Sequence, residues 1–93
     1  MHYCYILFSS KLNKFYVGES PDPDVRLIQH NSGYFNSSFT SKANDWNFYL
    51  VIPCENLLQA RKLERYIKKQ KSRKFIEKLK MDPTFLQLIL NKL

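Results

Sequence analysis

Arg26 and His30 stand four residues apart, a spacing that puts both side chains on one face of a helix. The planar donor fork of arginine matches phosphate oxygens two at a time, and histidine moves protons near neutral pH, so the pair suits phosphate chemistry. A surface arginine beside a histidine drawn to a helix C-terminus would give the same pattern. Glu64 is the second candidate. With residues 57–70 wound at 100° per residue, Ala60, Leu63 and Ile67 form an apolar stripe, and Glu64 falls between Ala60 and Leu57 at its edge. Arg61, Lys62, Arg65, Lys68 and Lys69 fan over the opposite side. A lone carboxylate in that setting either pairs with Lys68 one turn on or holds a divalent cation against a phosphate, for which hard oxygen ligands are the natural choice. Tyr5 and Tyr16 complete the group. A hairpin turning near Ser10-Lys11 places them opposite each other on one face, where they serve sheet packing or chemistry.

The elements that must position these residues can be read in order. His2 to Phe8 is rich in aromatic and β-branched residues, the pattern of a strand buried on both faces. Ser9 to Asn13 is a polar turn, and Lys14 to Gly18 alternates as the second strand of a hairpin. Ser20-Pro21-Asp22-Pro23 starts a helix through Val25, Leu27 and Ile28, and Gly33 supplies its left-handed end. Residues 31–47 carry eight Ser or Asn and form a long loop whose hydroxyl and amide groups suit phosphate contacts. Trp46 to Ile52 is a third strand ended by Pro53. Helices follow from Leu57 to about Gln70, from Ser72 through Leu79, and from Thr84 to Leu93. The apolar side of the last (Phe85, Leu86, Ile89, Leu90, Leu93) docks on the core.

The charge is one-sided. Residues 1–54 hold four basic and four acidic groups, whereas residues 55–93 hold eleven basic and four acidic, which accounts for the whole net charge of +7. Ten of those eleven lie between Arg61 and Lys80, a density that marks either a polyanion partner or a solvated helix face. At 93 residues and 44% hydrophobic, the chain is read as one small domain, 1–93, with one core. No apolar run approaches the ~18 residues needed to span a bilayer, and the start lacks a basic signal-peptide region, so membrane, secreted and disordered readings are excluded. Cys4 and Cys54, fifty residues apart, have no short ligand spacing with each other, His2 or His30. They read as small buried hydrophobes of a reducing cytoplasm rather than a zinc site.

Tyr3-Cys4-Tyr5-Ile6-Leu7, then Phe15-Tyr16-Val17-Gly18-Glu19-Ser20, then Arg26-Leu27 and His30-Asn31, resembles a GIY-YIG nuclease domain, of the small stand-alone type related to the N-terminal domain of the repair nuclease UvrC. An aromatic strand from Trp46 follows, and Ala60, Glu64 and Ile67-Lys68 fit the A-x-x-x-E-x-x-[IL]-K pattern, so the resemblance covers residues 2 to about 79. Three positions depart from it. Tyr3 replaces the glycine of the first motif, Glu19 stands where some members carry lysine, and Ile76 where some carry asparagine.

The resemblance implies an α+β fold, a three-stranded antiparallel sheet flanked by helices, to which this chain adds a C-terminal helix. It implies Tyr5, Tyr16, Arg26, His30 and Glu64 as catalytic residues, with Glu64 holding one Mg²⁺ or Mn²⁺. The expected reaction is hydrolysis of DNA phosphodiester bonds, selective for branched or single-stranded structure rather than sequence and of the repair or recombination type. RNA remains open as a substrate, and no membrane or protein partner is implied. Arg61, Arg65, Lys68, Lys69, Lys71, Arg73 and Lys74 are the expected backbone contacts. Tyr16, relayed through His30 or alone, would take the proton from water. Since tyrosine's ordinary pKa is about 10, positive charge must stand close for that role. The alternative is a nucleic-acid-binding module with weak or no cleavage, which the Glu19 and Ile76 departures favour and the five retained residues oppose.

Overall fold

β1 (His2–Ser9) is the middle strand of an antiparallel sheet, with β2 (Lys14–Ser20) on one side and β3 (Asn47–Cys54) on the other. The computed structural model describes residues 1–35 and 39–93. Between β2 and β3, the described residues form α1 (Pro23–Ser32) and a 3₁₀ turn (Phe39–Lys42). After β3 follow α2 (Leu57–Gln70), α3 (Arg73–Met81) and α4 (Pro83–Lys92). This is the expected α+β arrangement.

Each helix begins where a short polar side chain satisfies a free backbone N–H: Asp22 accepts from Val25, Asn56 from Gln59, Ser72 from Phe75 and Asp82 from Phe85. Gly33 closes α1 at φ 80, the left-handed cap that glycine adopts without steric cost.

The sheet separates two apolar clusters, as a centre strand apolar on both faces requires. Cys4 and Ile6 pack with Val17 and Ile52 against Ala60, Leu63 and Ile67 of α2, and α3 and α4 add Ile76, Leu79 and Ile89. The apolar side of α4 docks on this core as its sequence predicts. On the opposite face Tyr5 and Leu7 pack with Trp46, and Tyr16, Leu27 and Phe48 close around them. Both cysteines are buried free thiols, and burial pushes the Cys4 thiol well above its usual range, consistent with an inert packing role. No helix among the described residues is long and apolar enough to cross a membrane.

Three local expectations need correction. Pro53 does not end the third strand, which runs to Cys54, because β3 is an edge strand and Pro53 has no second neighbour to bond. Trp46 lies just outside β3, since its backbone N–H and C=O bond the Asn31 side chain at 2.8 and 2.9 Å instead of a strand. Tyr5 and Tyr16 are not directly opposite. The turn spans residues 10–13, with Asn13 at φ 52, and the register pairs Tyr5 with Gly18 and Leu7 with Tyr16. The two tyrosines are therefore diagonal neighbours on the same face. Part of the Ser/Asn-rich loop, residues 36–38, lies outside the described residues.

Candidate active site

Gly18 makes the first contact of the site possible. Tyr5 lies across it on the paired strand, and a Cβ there would fall 2.6 Å from the Tyr5 hydroxyl oxygen and 2.7 Å from Cζ. With that space open, the Tyr5 side chain, 1% exposed, reaches α1, where its hydroxyl meets His30 Nε2 at 3.0 Å. The other ring nitrogen of His30 meets Thr40 Oγ1 at 2.8 Å. Thr40 is itself fixed from behind, because its carbonyl accepts from the indole N–H of Trp46 at 2.9 Å. A buried chain thus runs from β1 through α1 to the 3₁₀ turn, with both nitrogens of His30 occupied.

Tyr16 packs over this chain, its ring centre 4.9 Å from His30 and 6.4 Å from Tyr5. Arg26, one turn before His30, lies with Cζ 5.4 Å from the Phe35 ring centre, and Phe35 in turn stacks on His30 at 4.9 Å. On the far side of Tyr16, α2 brings Lys68 Nζ to 5.7 Å from its ring centre, and the same ammonium donates to Glu64 Oε2 at 2.9 Å. The five residues expected from sequence therefore converge at the β2 side of the sheet, Tyr5, Tyr16 and His30 in direct contact and Arg26 and Glu64 flanking them.

The electrostatics follow from burial. His30, 3% exposed, has its pKa pushed down to about 4 by desolvation and then by the Arg26 charge, so the ring is neutral at neutral pH. Burial likewise pushes the Tyr5 phenol well above its usual value, with Tyr16 adding to the rise and Arg26 opposing it. Glu64 and Glu19 act on Tyr5 in the same upward sense, so both carboxylates reach this tyrosine with their fields. Tyr5 is a hydroxyl, not a phenolate, in this site.

Among the described residues no three His, Cys, Asp or Glu side chains cluster as a metal cage. Glu64 is a half-buried carboxylate, its side chain 22% exposed, in a cleft of about 380 Å³ lined otherwise by Arg61, Arg65 and Lys68. One carboxylate beside cations that attract phosphate suits Mg²⁺, which keeps most of its waters and takes the rest of its ligands from substrate phosphates.

The expected backbone contacts divide into three sets. Arg61, Arg65 and Lys68 line the Glu64 cleft, while Lys68, Lys71 and Arg73 line a second groove beside Tyr16. Lys69 and Lys74 are exposed and line neither. Three of the seven are already engaged, Lys68 by Glu64 as described above. Arg61 Nε stands 3.6 Å from Glu19, and Arg73 donates to the Asn13 carbonyl and side-chain oxygens at 3.0 and 3.2 Å.

Sequence reasoning missed Thr40, Phe35 and the bracing role of Asn31. Thr40 and Phe35 lay in a loop without periodicity, and only the partner of a buried histidine nitrogen would have signalled them. Glu19, a departure from the family pattern, joins Arg61 to His2, whose Nε2 lies 2.5 Å from its carboxylate. Ile76, the other departure, is buried in the core under α2, so its position here is a packing position.

No curated protein and no solved structure matches the chain significantly. The family model for the GIY-YIG catalytic domain matches residues 1–80 of the 93, a span that contains the sheet, the buried Tyr5–His30–Thr40 chain, Arg26 and Glu64. The chain therefore belongs to the GIY-YIG catalytic domain family, nucleases that act on nucleic acid and generally use divalent metal ions.

Proposed function

We propose that this protein is a divalent-metal-dependent endonuclease that hydrolyses DNA phosphodiester bonds and selects branched or single-stranded structure rather than base sequence. The observation that carries this reading is the buried Tyr5–His30–Thr40 chain beneath Tyr16, with Arg26 on one side and Glu64 on the other. A binding surface needs cations but has no use for a neutral histidine locked under a tyrosine.

The roles divide by what each group is free to do. His30 has both nitrogens engaged and is neutral, so it fixes Tyr5 and is not the base. Tyr16 has its ring on His30 and lines the open groove it shares with Lys68, which leaves it the group able to take a proton from water. A phenol serves as base when positive charge stands near it, and Lys68 is the cation beside it. Arg26 would neutralise charge developing on the phosphoryl oxygens. Glu64 would hold the Mg²⁺ or Mn²⁺, after giving up Lys68 to the entering phosphate. When bound, the cation supplies charge neutralisation at the phosphate and leaving oxygen. The rival reading, a module that binds without cutting, draws on the Lys68 pairing of Glu64 and on Ile76 being core.

Nicking of supercoiled plasmid and of a labelled branched duplex, with Mn²⁺, Mg²⁺ or EDTA, tests the choice. Metal-dependent cutting that is lost in Glu64→Ala and Arg26→Ala is the expected result. An uncut substrate with wild type, alongside salt-sensitive DNA binding in all three proteins, would leave the binding module. Sharp cutting at one defined site in duplex DNA would overturn the structural selectivity.

A further inference from the structure

A groove of about 400 Å³ runs along the outer side of β2, between Phe39 and the turn from α2 to α3. That size falls within the roughly 300–1,000 Å³ of small-ligand sites. Its floor is apolar, made by Phe15, Ile67 and Ile76, and one wall is Phe39, a residue 39% exposed. The rim carries Lys14, Lys68, Lys71 and Arg73, and no acidic side chain among the described residues lines it. β2 is an edge strand, so the sheet leaves this side open.

Two features fit the groove to one kind of occupant. Arg73 is held in place rather than swinging in solvent. Its guanidinium stacks 5.1 Å from the Phe15 ring centre and 5.8 Å from Phe8, and bonds Asn13 twice. This fixes the hairpin tip to α3 and keeps the rim rigid. Tyr16 and Lys68 belong to both the groove and the candidate active site, so whatever lies in the groove is next to the bond being cut. An aromatic wall, an apolar floor and a cationic rim are the components that hold a single unpaired base by stacking while tracking its phosphates. A duplex cannot supply a base to such a groove without unpairing it.

We propose that this groove seats one unpaired nucleotide of the strand being cut, its base against Phe39 and its phosphates on Lys71 and Lys14. The inference rests on the nuclease reading for its substrate and gives a physical source for selectivity toward single-stranded or branched DNA.

The test reads binding apart from cleavage, in EDTA, by fluorescence anisotropy of a short labelled oligothymidylate and of an abasic oligomer of equal length. Wild type is expected to prefer the oligothymidylate. Phe39→Ala should weaken that binding about 5- to 150-fold, the range for one lost base–aromatic stack, with little change for the abasic oligomer. Phe39→Tyr should restore it. Because Phe39 also packs near Trp46, at 6.0 Å between ring centres, Lys71→Glu serves as a second variant on an exposed position. It should weaken both oligomers alike and reduce their salt dependence. Equal affinity of wild type for both oligomers would overturn the proposal. So would an unchanged preference in Phe39→Ala, or displacement of neither oligomer's binding by Lys71→Glu. A strand-forming peptide that bound where oligothymidylate did not would assign the β2 edge to a protein instead. Plasmid nicking by wild type reports on the nuclease reading separately, so either reading can fail without the other.

Discussion

Replacing Gly18 with alanine should damage the site through Tyr5, and the effect should depend on Tyr5 being a tyrosine. The new methyl carbon would lie 2.7 Å from Tyr5 Cζ and 2.6 Å from its oxygen, against the ~3.5–4.0 Å of a normal carbon contact, a shortfall of roughly 1 Å. The ring has nowhere to retreat, being buried and tied to His30 at 3.0 Å. Overpacking of this kind costs about 1–3 kcal/mol, and a buried nitrogen deprived of its partner costs about 1–3 more. Against this, alanine in a strand interior regains about 0.5–1 kcal/mol of the backbone entropy that glycine loses on folding. The net expectation is a loss of about 1–5.5 kcal/mol, large beside the ~5–15 kcal/mol of a typical domain. Urea unfolding of four proteins checks it: wild type, Gly18→Ala, Tyr5→Val and the double variant. With valine at residue 5 the obstructing ring atoms are gone, so Gly18→Ala should become neutral or stabilising. An equal loss in both backgrounds would refute the reasoning, because it would show that glycine is needed for the backbone and not for the tyrosine.

Two further outcomes follow from the same contacts. His30 takes a proton at about 4 in the fold and at about 6.5 when unfolded, so the unfolded chain binds it first as the pH falls. Stability is therefore full above about 6.5 and declines toward 4, a contribution on the order of 3 kcal/mol. His30→Gln should flatten that part of the pH dependence in urea melts, and an unchanged slope would show that another group carries it. Arg73→Ala should lower stability by about 1 kcal/mol through its lost ring contacts and bonds to Asn13. Lys74→Ala, one residue away on an exposed position, should stay within about 0.5 kcal/mol of wild type. Equal effects from the two would deny Arg73 its structural role.

What the chain reveals before folding depends on whether a residue's role is periodic. The strands, the stripe of α2 and the placement of Glu64 at its edge follow from local repetition, and the structure reproduces them nearly residue for residue. Register does not follow from local repetition. A turn centred between Lys11 and Leu12, one residue beyond Ser10-Lys11, shifts Tyr16 from a partner of Tyr5 to its diagonal neighbour, and that shift is what puts Gly18 beneath the Tyr5 ring. His30 shows the limit most clearly. Four residues after Arg26 near a helix end, it could equally have been an exposed histidine favoured by the dipole. What buries it is Thr40, brought back by a turn with no pattern of its own, and Trp46, which fixes that turn by one indole bond. The same fact decides its chemistry. A histidine at a helix end would be a proton carrier near neutral pH, whereas one sealed between Tyr5 and Thr40 and facing Arg26 is neutral and committed. In the proposed reaction, proton transfer would then fall to Tyr16, the tyrosine that the packing leaves bordering the open groove. The residue types suit phosphate chemistry, but it is the contacts of Thr40 and Trp46 that decide which of them is buried and which stays open.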